Sequence, residues 1–285
     1  MKKPKKRKID ILILSDIHLG TYGCHAMELL QYMKSVDPKL VILNGDIIDI
    51  WQFSKRYWPK SHMKILRQLI KWLSKGVKIQ YITGNHDEML RKFAGFKMGG
   101  LHISNKMVLD LADGKKAWVF HGDVFDITMK YSKWLAKLGA IGYDTLIIIN
   151  RMANFLFQKV LKRGKISLSK KIKNSVKSAV KFINQFEIIA AEIGIQNGFD
   201  FVICGHIHHP EIREVVIRDS SIIYMNSGDW IENLSALEYV KGEWQLYQFN
   251  PADFLEEQAL EPDTCDLSDA EIFDHLIQEF ELLRN

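Results

Sequence analysis

Cysteine is scarce in this 285-residue chain, and Cys24, Cys204 and Cys265 stand at no paired or metal-binding spacing. Their spacing excludes a disulfide-stapled secreted scaffold and a cysteine zinc finger, and it predicts a reducing compartment. Proline is also sparse, with 6 residues against 18 glycines, so the chain is no Pro-rich linker. No uncharged apolar run approaches the roughly 18 residues that a membrane span needs. The basic start from Met1 to Lys8 leads into a short apolar strand and not into a signal-peptide core, so a cytoplasmic location is expected. There is no internal repeat. What is present is the composition of a folded protein, 47% hydrophobic and 26% charged, sufficient for one sizeable core.

Charge is spread unevenly. The overall +5 combines residues 251–285, where eleven acids face the single Arg284, with a body of 250 residues that carries +15. Between Lys159 and Lys181 stand nine Lys or Arg and no acid, and six more basic residues lie in the first eight. Such patches attract phosphate on a small molecule, a glycolipid, a nucleic acid or an anionic membrane surface, and they also fit a solvated basic helix.

Hydrophobic periodicity divides the chain. Ile9 to Asp16 predicts a buried strand, residues 25–34 a helix, and Lys39 to Asp46 a second strand. Residues 62–74 set Ile65, Leu66, Leu69, Ile70 and Leu73 on one stripe of an amphipathic helix. Val77 to Asn85, Trp118 to Asp123 and Asp200 to His206 predict further strands, and Ile222 to Trp230, 234–240 and 243–249 predict more in a second sheet. Nearly continuous Val, Ile and Leu content means strands covered on both faces, hence a layered α/β protein. Residues 126–198 change to a helical period, first aromatic and aliphatic, then basic. Because strands resume at residue 200, this stretch reads as a helical cap inserted into a core made of 9–125 and 199–250. The acidic 251–285 reads as a surface helix or tail.

The chemistry gathers where the strands end. The first ends in Asp16 and His18, the second in Gly45, Asp46 and Asp49, and the third in Gly84, Asn85, His86 and Asp87. The fourth ends in His121, Gly122 and Asp123, and the fifth in Gly205, His206 and His208. A single Asp-x-His means little, but layered α/β folds place ligands along one edge of the strand ends, and here five ends in register bear them. Carboxylates, an amide and imidazoles without cysteine favour Mn²⁺ foremost, or Fe²⁺ or Zn²⁺. The donors outnumber what one ion needs. Two ions about 3.5 to 4 Å apart and bridged by a carboxylate would use them all, as in phosphoryl hydrolysis.

In this order, D-x-H, G-D-x-x-D, G-N-H-D, H-G-D and G-H-x-H resemble the motifs of the calcineurin-like metallophosphoesterase superfamily, over residues 9–125 and 199–230. The resemblance implies a layered β-sandwich flanked by helices and a metal-dependent phosphoric ester or diphosphate hydrolase. Carried over by motif, it implies Asp16, His18 and His208 as ligands of one ion, Asn85, His121 and His206 as ligands of the other, and Asp46 as the bridge. His86 is then the catalytic, non-ligand histidine, with Asp87 as its orienter. Asp49 and Asp123 read as supports that bond loop amides or ligand histidines. Water activated by the metal pair attacks phosphorus in this chemistry, with no phosphoenzyme.

Within the superfamily, D-I-H-L from Asp16, D-I-I-D-I-W from Asp46, the helical stretch after His121-Gly122-Asp123 and G-H-I-H-H-P from Gly205 resemble the bacterial UDP-2,3-diacylglucosamine pyrophosphatases of lipid A synthesis. That resemblance implies cleavage of UDP-2,3-diacylglucosamine to UMP and 2,3-diacylglucosamine 1-phosphate beneath a cap that holds acyl chains. Tyr131, Trp134 and Phe155 are the candidate acyl contacts, Lys162 and Arg163 the candidate diphosphate contacts, and the same basic and aromatic cap suits peripheral attachment to an anionic membrane. One departure is His86, where the best-known members of that group carry arginine. It keeps another small phosphomonoester or phosphodiester open as the alternative. A nuclease is the weaker expectation, because the basic residues concentrate in one insertion and no nucleic-acid-binding motif accompanies them. A non-catalytic scaffold would be expected to have lost ligands that this chain retains. The oligomeric state is left open.

Overall fold

Leu12 and Leu14 enter one hydrophobic core and Ile11 and Ile13 another, as the two-residue period of a strand requires. That alternation builds the core of the described residues. The computed structural model describes residues 6–51, 57–125 and 169–254, with side chains from residue 183 onward in the last stretch. In chain order the strands are β1 (Arg7–Leu14), β2 (Val36–Asn44), β3 (Lys78–Ile82), β4 (Lys97–Met98), β5 (Leu101–Ser104), β6 (Lys106–Asp110), β7 (Lys116–Phe120), β8 (Phe201–Cys204), β9 (Glu211–Ile217), β10 (Ser220–Asn226), β11 (Ser235–Val240) and β12 (Glu243–Gln248). The described α-helices are α1 (Ala26–Ser35), α2 (Lys60–Ser74) and α3 (Ser169–Gln196).

One sheet of seven strands runs β12-β11-β1-β2-β3-β5-β4, and a second of five runs β6-β7-β8-β10-β9. β1, β2, β3 and β5 are parallel, as are β7, β8 and β10, while antiparallel neighbours close the edges. The sheets face one another through Ile11, Ile13, Ile42 and Ile82 on one side and Ala117, Val119, Ile203 and Met225 on the other. Leu29, Leu30 and Met33 of α1 and Ile65, Leu69 and Trp72 of α2 cover the outer face of the first sheet. Phe186, Ala190 and Ala191 of α3 cover the second over Phe120, Val202 and Tyr224. The result is a layered α/β sandwich with helices on both outer faces, the class expected from the strand composition.

A buried polar knot fixes the antiparallel side of the first sheet. Glu238 on β11 is 0% exposed, and its oxygens accept from Arg7 at 2.9 and 2.8 Å, from Tyr32 Oη at 2.8 Å and from Gln245 at 2.7 Å. Every lone pair that burial removes from water is thus answered by a donor.

The expected strands are present, but β11 and β12, expected in a second sheet, instead extend the first one beside β1 because β11 pairs antiparallel with it, and the strands stop before the chemistry. β1 ends at Leu14 and β2 at Asn44, because Asp16 and Asp46 take φ of 51° and 54°, outside the strand region. β4, β5, β6, β9 and a short 3-10 turn at Glu88–Phe93 were not expected from the sequence. The strands lie at or next to sheet edges, and apart from Val215 these side chains are exposed or half-buried, so they carry little of the apolar signal on which periodicity rests. α3 begins inside the stretch read as cap and ends packed on the second sheet. Among the described residues, no helix is long and apolar enough to cross a membrane.

Candidate metal centre

The parallel strands of both sheets release their chain at the same edge. Asp16 and His18 follow β1, Asp46 and Asp49 follow β2, and Asn85, His86 and Asp87 follow β3; His121 follows β7, and His206 and His208 follow β8. Two contacts stitch this edge across the sandwich: Asn44 Nδ2 donates to Phe120 O at 3.1 Å, and His121 Nδ1 bonds Asn44 O at 2.9 Å.

Among the described residues, eight non-glycine positions have a left-handed φ, and five of them are Asp16, His18, Asp46, His206 and His208. Backbone strain of this kind persists only where surrounding structure enforces it, and it gathers at functional sites. The glycines of the motifs have a related reason. A Cβ at Gly84 would sit 2.2 Å from Asp46 Oδ1, and one at Gly45 would sit 2.3 Å from His121 Nδ1. The motif glycines are therefore the room through which the ligands pass.

Ligand atoms of Asp16, His18 and His208 form one cluster, and those of Asp46, His121 and His206 a second, each within 4.8 Å. His86 joins His18 and Asp46 in an overlapping third grouping. Asp46 Oδ2 stands between the two main clusters, 4.0 Å from His18 Nε2 and 3.2 Å from His121 Nε2. Asp16 Oδ1 faces His208 Nε2 at 3.2 Å, and Asp16 Oδ2 accepts from the His206 amide at 3.0 Å.

These atoms fit divalent ions on the observation of what they do not bond. His18 Nε2, Asn85 Oδ1 and His121 Nε2 are buried and make no hydrogen bond. The carboxylates of Asp16, Asp46, Asp49, Asp87 and Asp229 are each at most 2% exposed, and no lysine or arginine is buried among the described residues to balance them. Buried ligand atoms that make no hydrogen bond are costly, and a pair of divalent cations would answer them while adding positive charge among these carboxylates. Nδ1 of His121 is held by a carbonyl and Nδ1 of His18 faces Asp49 at 3.3 Å, so each ring turns Nε2 inward.

Electrostatics follow this geometry. Burial alone would raise the Asp16 carboxyl, but the neighbouring His208 overrides it and brings it down to about 2. Burial would lower His208, and Asp16 raises it instead to about 9. Burial would raise Asp46, but His121 together with His86 and His18 holds it well below the carboxylate range. His86 is raised, with the bonds and charges of Asp49 and Asp46 exceeding the downward pull of burial.

The orienter of His86 differs from the sequence expectation. Asp49 Oδ2, not Asp87, bonds His86 Nδ1, at 2.7 Å. Asp87 is consumed elsewhere: its oxygens accept from Ile47 N at 3.0 Å, Tyr81 Oη at 2.6 Å and Gly84 N at 2.6 Å, which pins the second and third strand-end loops together. Adjacent position in the sequence misleads here because consecutive residues of a turn point different ways. Asp123 pairs with Arg91, whose guanidinium also reaches Gly84 O at 3.3 Å. Trp51 lies against the His86 ring with centroids 4.3 Å apart. Tyr131, Trp134, Phe155, Lys162 and Arg163 lie outside the described residues.

A sixth strand end was missed. At the end of β10, Asn226 Nδ2 bonds Gly205 O at 2.8 Å, and Ser227 Oγ, the next residue, meets Ser15 Oγ at 2.7 Å. Asp229 Oδ1 accepts from Ile231 N at 2.8 Å and Glu232 N at 2.5 Å, while Oδ2 stands 3.9 Å from His208 Nδ1. The signal was available: N-S-G-D terminates a strand, as the five ligand motifs do.

Fold and site together define a metal-dependent hydrolase of phosphoric esters. Residues 9–210 match the family of calcineurin-like phosphoesterases, and the chain belongs to it. It is similar to the UDP-2,3-diacylglucosamine hydrolase of Aliivibrio fischeri (strain MJ11), 27% identical over 246 residues that cover 84% of this chain and 98% of the relative. It is also similar to the UDP-2,3-diacylglucosamine hydrolase of Blochmanniella pennsylvanica (strain BPEN), 26% identical over 218 residues, 73% of this chain and 82% of the relative.

Proposed function

We propose that the protein hydrolyses the diphosphate of UDP-2,3-diacylglucosamine, with water forming a new P–O bond as the P–O–P bridge breaks, so that UMP and 2,3-diacylglucosamine 1-phosphate are the products. The observation that carries this reading is the likeness over 98% of the Aliivibrio relative's length, joined to a donor set with no missing member. Asp16, His18 and His208 hold one ion, Asn85, His121 and His206 the other, and Asp46 lies between them. When bound, the ions, Mn²⁺ foremost, activate water and neutralise charge on the phosphoryl oxygens.

The chain's own residues do the rest. Asp49 fixes Nδ1 of His86, which leaves Nε2 to donate a proton or hydrogen bond to the phosphoryl or departing oxygen. Trp51 packs on the ring and limits its rotation. Asp87 holds the loop that presents His86 by bonding Ile47, Tyr81 and Gly84. The aromatic and basic residues of 126–168, among them Tyr131, Trp134, Phe155, Lys162 and Arg163, receive the acyl chains and the diphosphate, and they bring the protein to an anionic membrane surface.

His86 itself favours a second reading, in which the same site cleaves another small phosphomonoester or phosphodiester. The test is Mn²⁺-loaded protein with UDP-2,3-diacylglucosamine, with UMP followed by chromatography beside a His86→Ala variant of intact metal content. Metal-dependent UMP release that the variant lacks is the expected result. Turnover of an aryl phosphodiester without UMP release would retain the hydrolase and discard the lipid substrate.

A further inference from the structure

Outside the metal centre, a second set of donors converges on one point. Glu187 stands on α3 beside Phe186, and its side chain is 2% exposed. Its Oε2 accepts from Arg213 Nη2, whereas Oε1 is buried and accepts no hydrogen bond. His209 Nδ1 lies 3.7 Å from that Oε1 and 3.7 Å from Glu211 Oε2, too far to bond either. Arg213 Nε stands 3.3 Å from Glu211 Oε2 and completes no hydrogen bond. One imidazole nitrogen and two carboxylate oxygens, from α3, the loop after β8 and the first residue of β9, thus lie within 4.8 Å of one another.

A buried carboxylate oxygen without a donor is costly, and the chain retains one here, aimed at an imidazole that does not reach it. We propose that Glu187, His209 and Glu211 form a third divalent-cation site, separate from the pair at the strand ends, with Zn²⁺ as its ion. Two carboxylates and one imidazole are a donor set that Zn²⁺ accepts, with its fourth position left to water. Two glutamates against Arg213 leave one net negative charge for the cation to meet. His209, 49% exposed, provides the way in from solvent. An ion at this point joins α3 to the loop that carries His206 and His208, so it braces that loop from outside the reaction.

The test uses the full chain, stripped by chelator and dialysed to saturation at buffered free Zn²⁺, with bound metal counted by mass spectrometry. Wild type is expected to hold one equivalent more than His209→Ala and one more than Glu211→Gln. His121→Ala provides the complementary loss, from the strand-end pair alone. Equal metal content in wild type and both variants would overturn the third site. Three equivalents in wild type with two in each variant support the third site, and no more than two in wild type that fall only with His121→Ala would overturn it. One equivalent in wild type that His209→Ala loses and His121→Ala keeps would support the third site and count against the paired centre, so the two failures are distinguishable.

Discussion

Nδ1 of His86 and Oδ2 of Asp49 are joined at 2.7 Å, and the same Asp49 oxygen lies 3.3 Å from Nδ1 of His18. One carboxylate therefore orients both the candidate proton donor and a candidate metal ligand. Asp49→Asn keeps the shape but replaces an acceptor with an amide that cannot bond both rings in the same way. Turnover of an aryl phosphodiester is expected to fall about 10- to 100-fold, the usual loss when a partner of this kind is removed. Steady-state kinetics with parallel metal analysis check it, and an unchanged kcat would refute the role given to Asp49.

His86 and His121 should separate by what they lose. His121 is 1% exposed with Nε2 turned to Asp46, so His121→Ala should lose bound metal and activity together. His86→Ala should keep its metal while kcat falls about 100-fold or more, the scale of a missing general acid. Metal content by mass spectrometry beside kcat decides between them. Loss of metal in His86→Ala would make His86 a ligand.

Gly84→Ala tests the close approach at the site. Its Cβ would meet Asp46 Oδ1 at 2.2 Å, whereas a Cβ at Gly76 would meet nothing within 4 Å. Gly84→Ala should displace Asp46 and weaken metal binding by at least about tenfold, the lower end of what disturbing a ligand's surroundings costs. Gly76→Ala, at a φ of 83°, should bear only backbone strain of about 1 to 2 kcal/mol and bind metal as wild type does. Isothermal titration of both variants measures the contrast.

The phenols of Tyr32 and Tyr247, stacked at 4.2 Å, set an alkaline limit on stability. Burial raises Tyr32 well above its ordinary value, with Glu238 adding to the rise, and burial lifts Tyr247 to about 12 against the opposing pull of Arg7. Above pH 10 the unfolded chain ionises these groups before the folded one does. The stability they lend is therefore complete below about pH 10 and is lost as pH climbs toward 12. Guanidinium denaturation at pH 8 and pH 11 should show the decline, and Tyr247→Phe should flatten it. An equal slope in the variant would refute this source.

The strongest strands were legible because their residues are buried on both sides. Leu12, Leu14, Val41 and Leu43 face helices while Ile11, Ile13 and Ile42 face the other sheet, and that double burial writes a continuous apolar run. β6 and β9 were not legible, since their exposed edge positions admit Lys, Glu and Arg. The candidate ligands were legible because they follow such strands, and Asp46, Asn85, His121 and His206 each adjoin a glycine. The partner of His86 was not, because Asp87 adjoins it in sequence while Asp49 reaches it from another strand end, and spacing does not tell which one points at the ring.

The sequence by itself determined the layered α/β class, the edge at which chemistry gathers and the candidate donors, because periodicity and residue type are local properties. Tertiary structure alone decided that Asp46 stands between His18 and His121, that Asp49 rather than Asp87 holds His86, and that Glu187, His209 and Glu211 meet. Most of those relations join residues tens of positions apart, 75 in the case of Asp46 and His121. Their distances are set by how two sheets and three helices pack, and no short stretch of sequence contains that information.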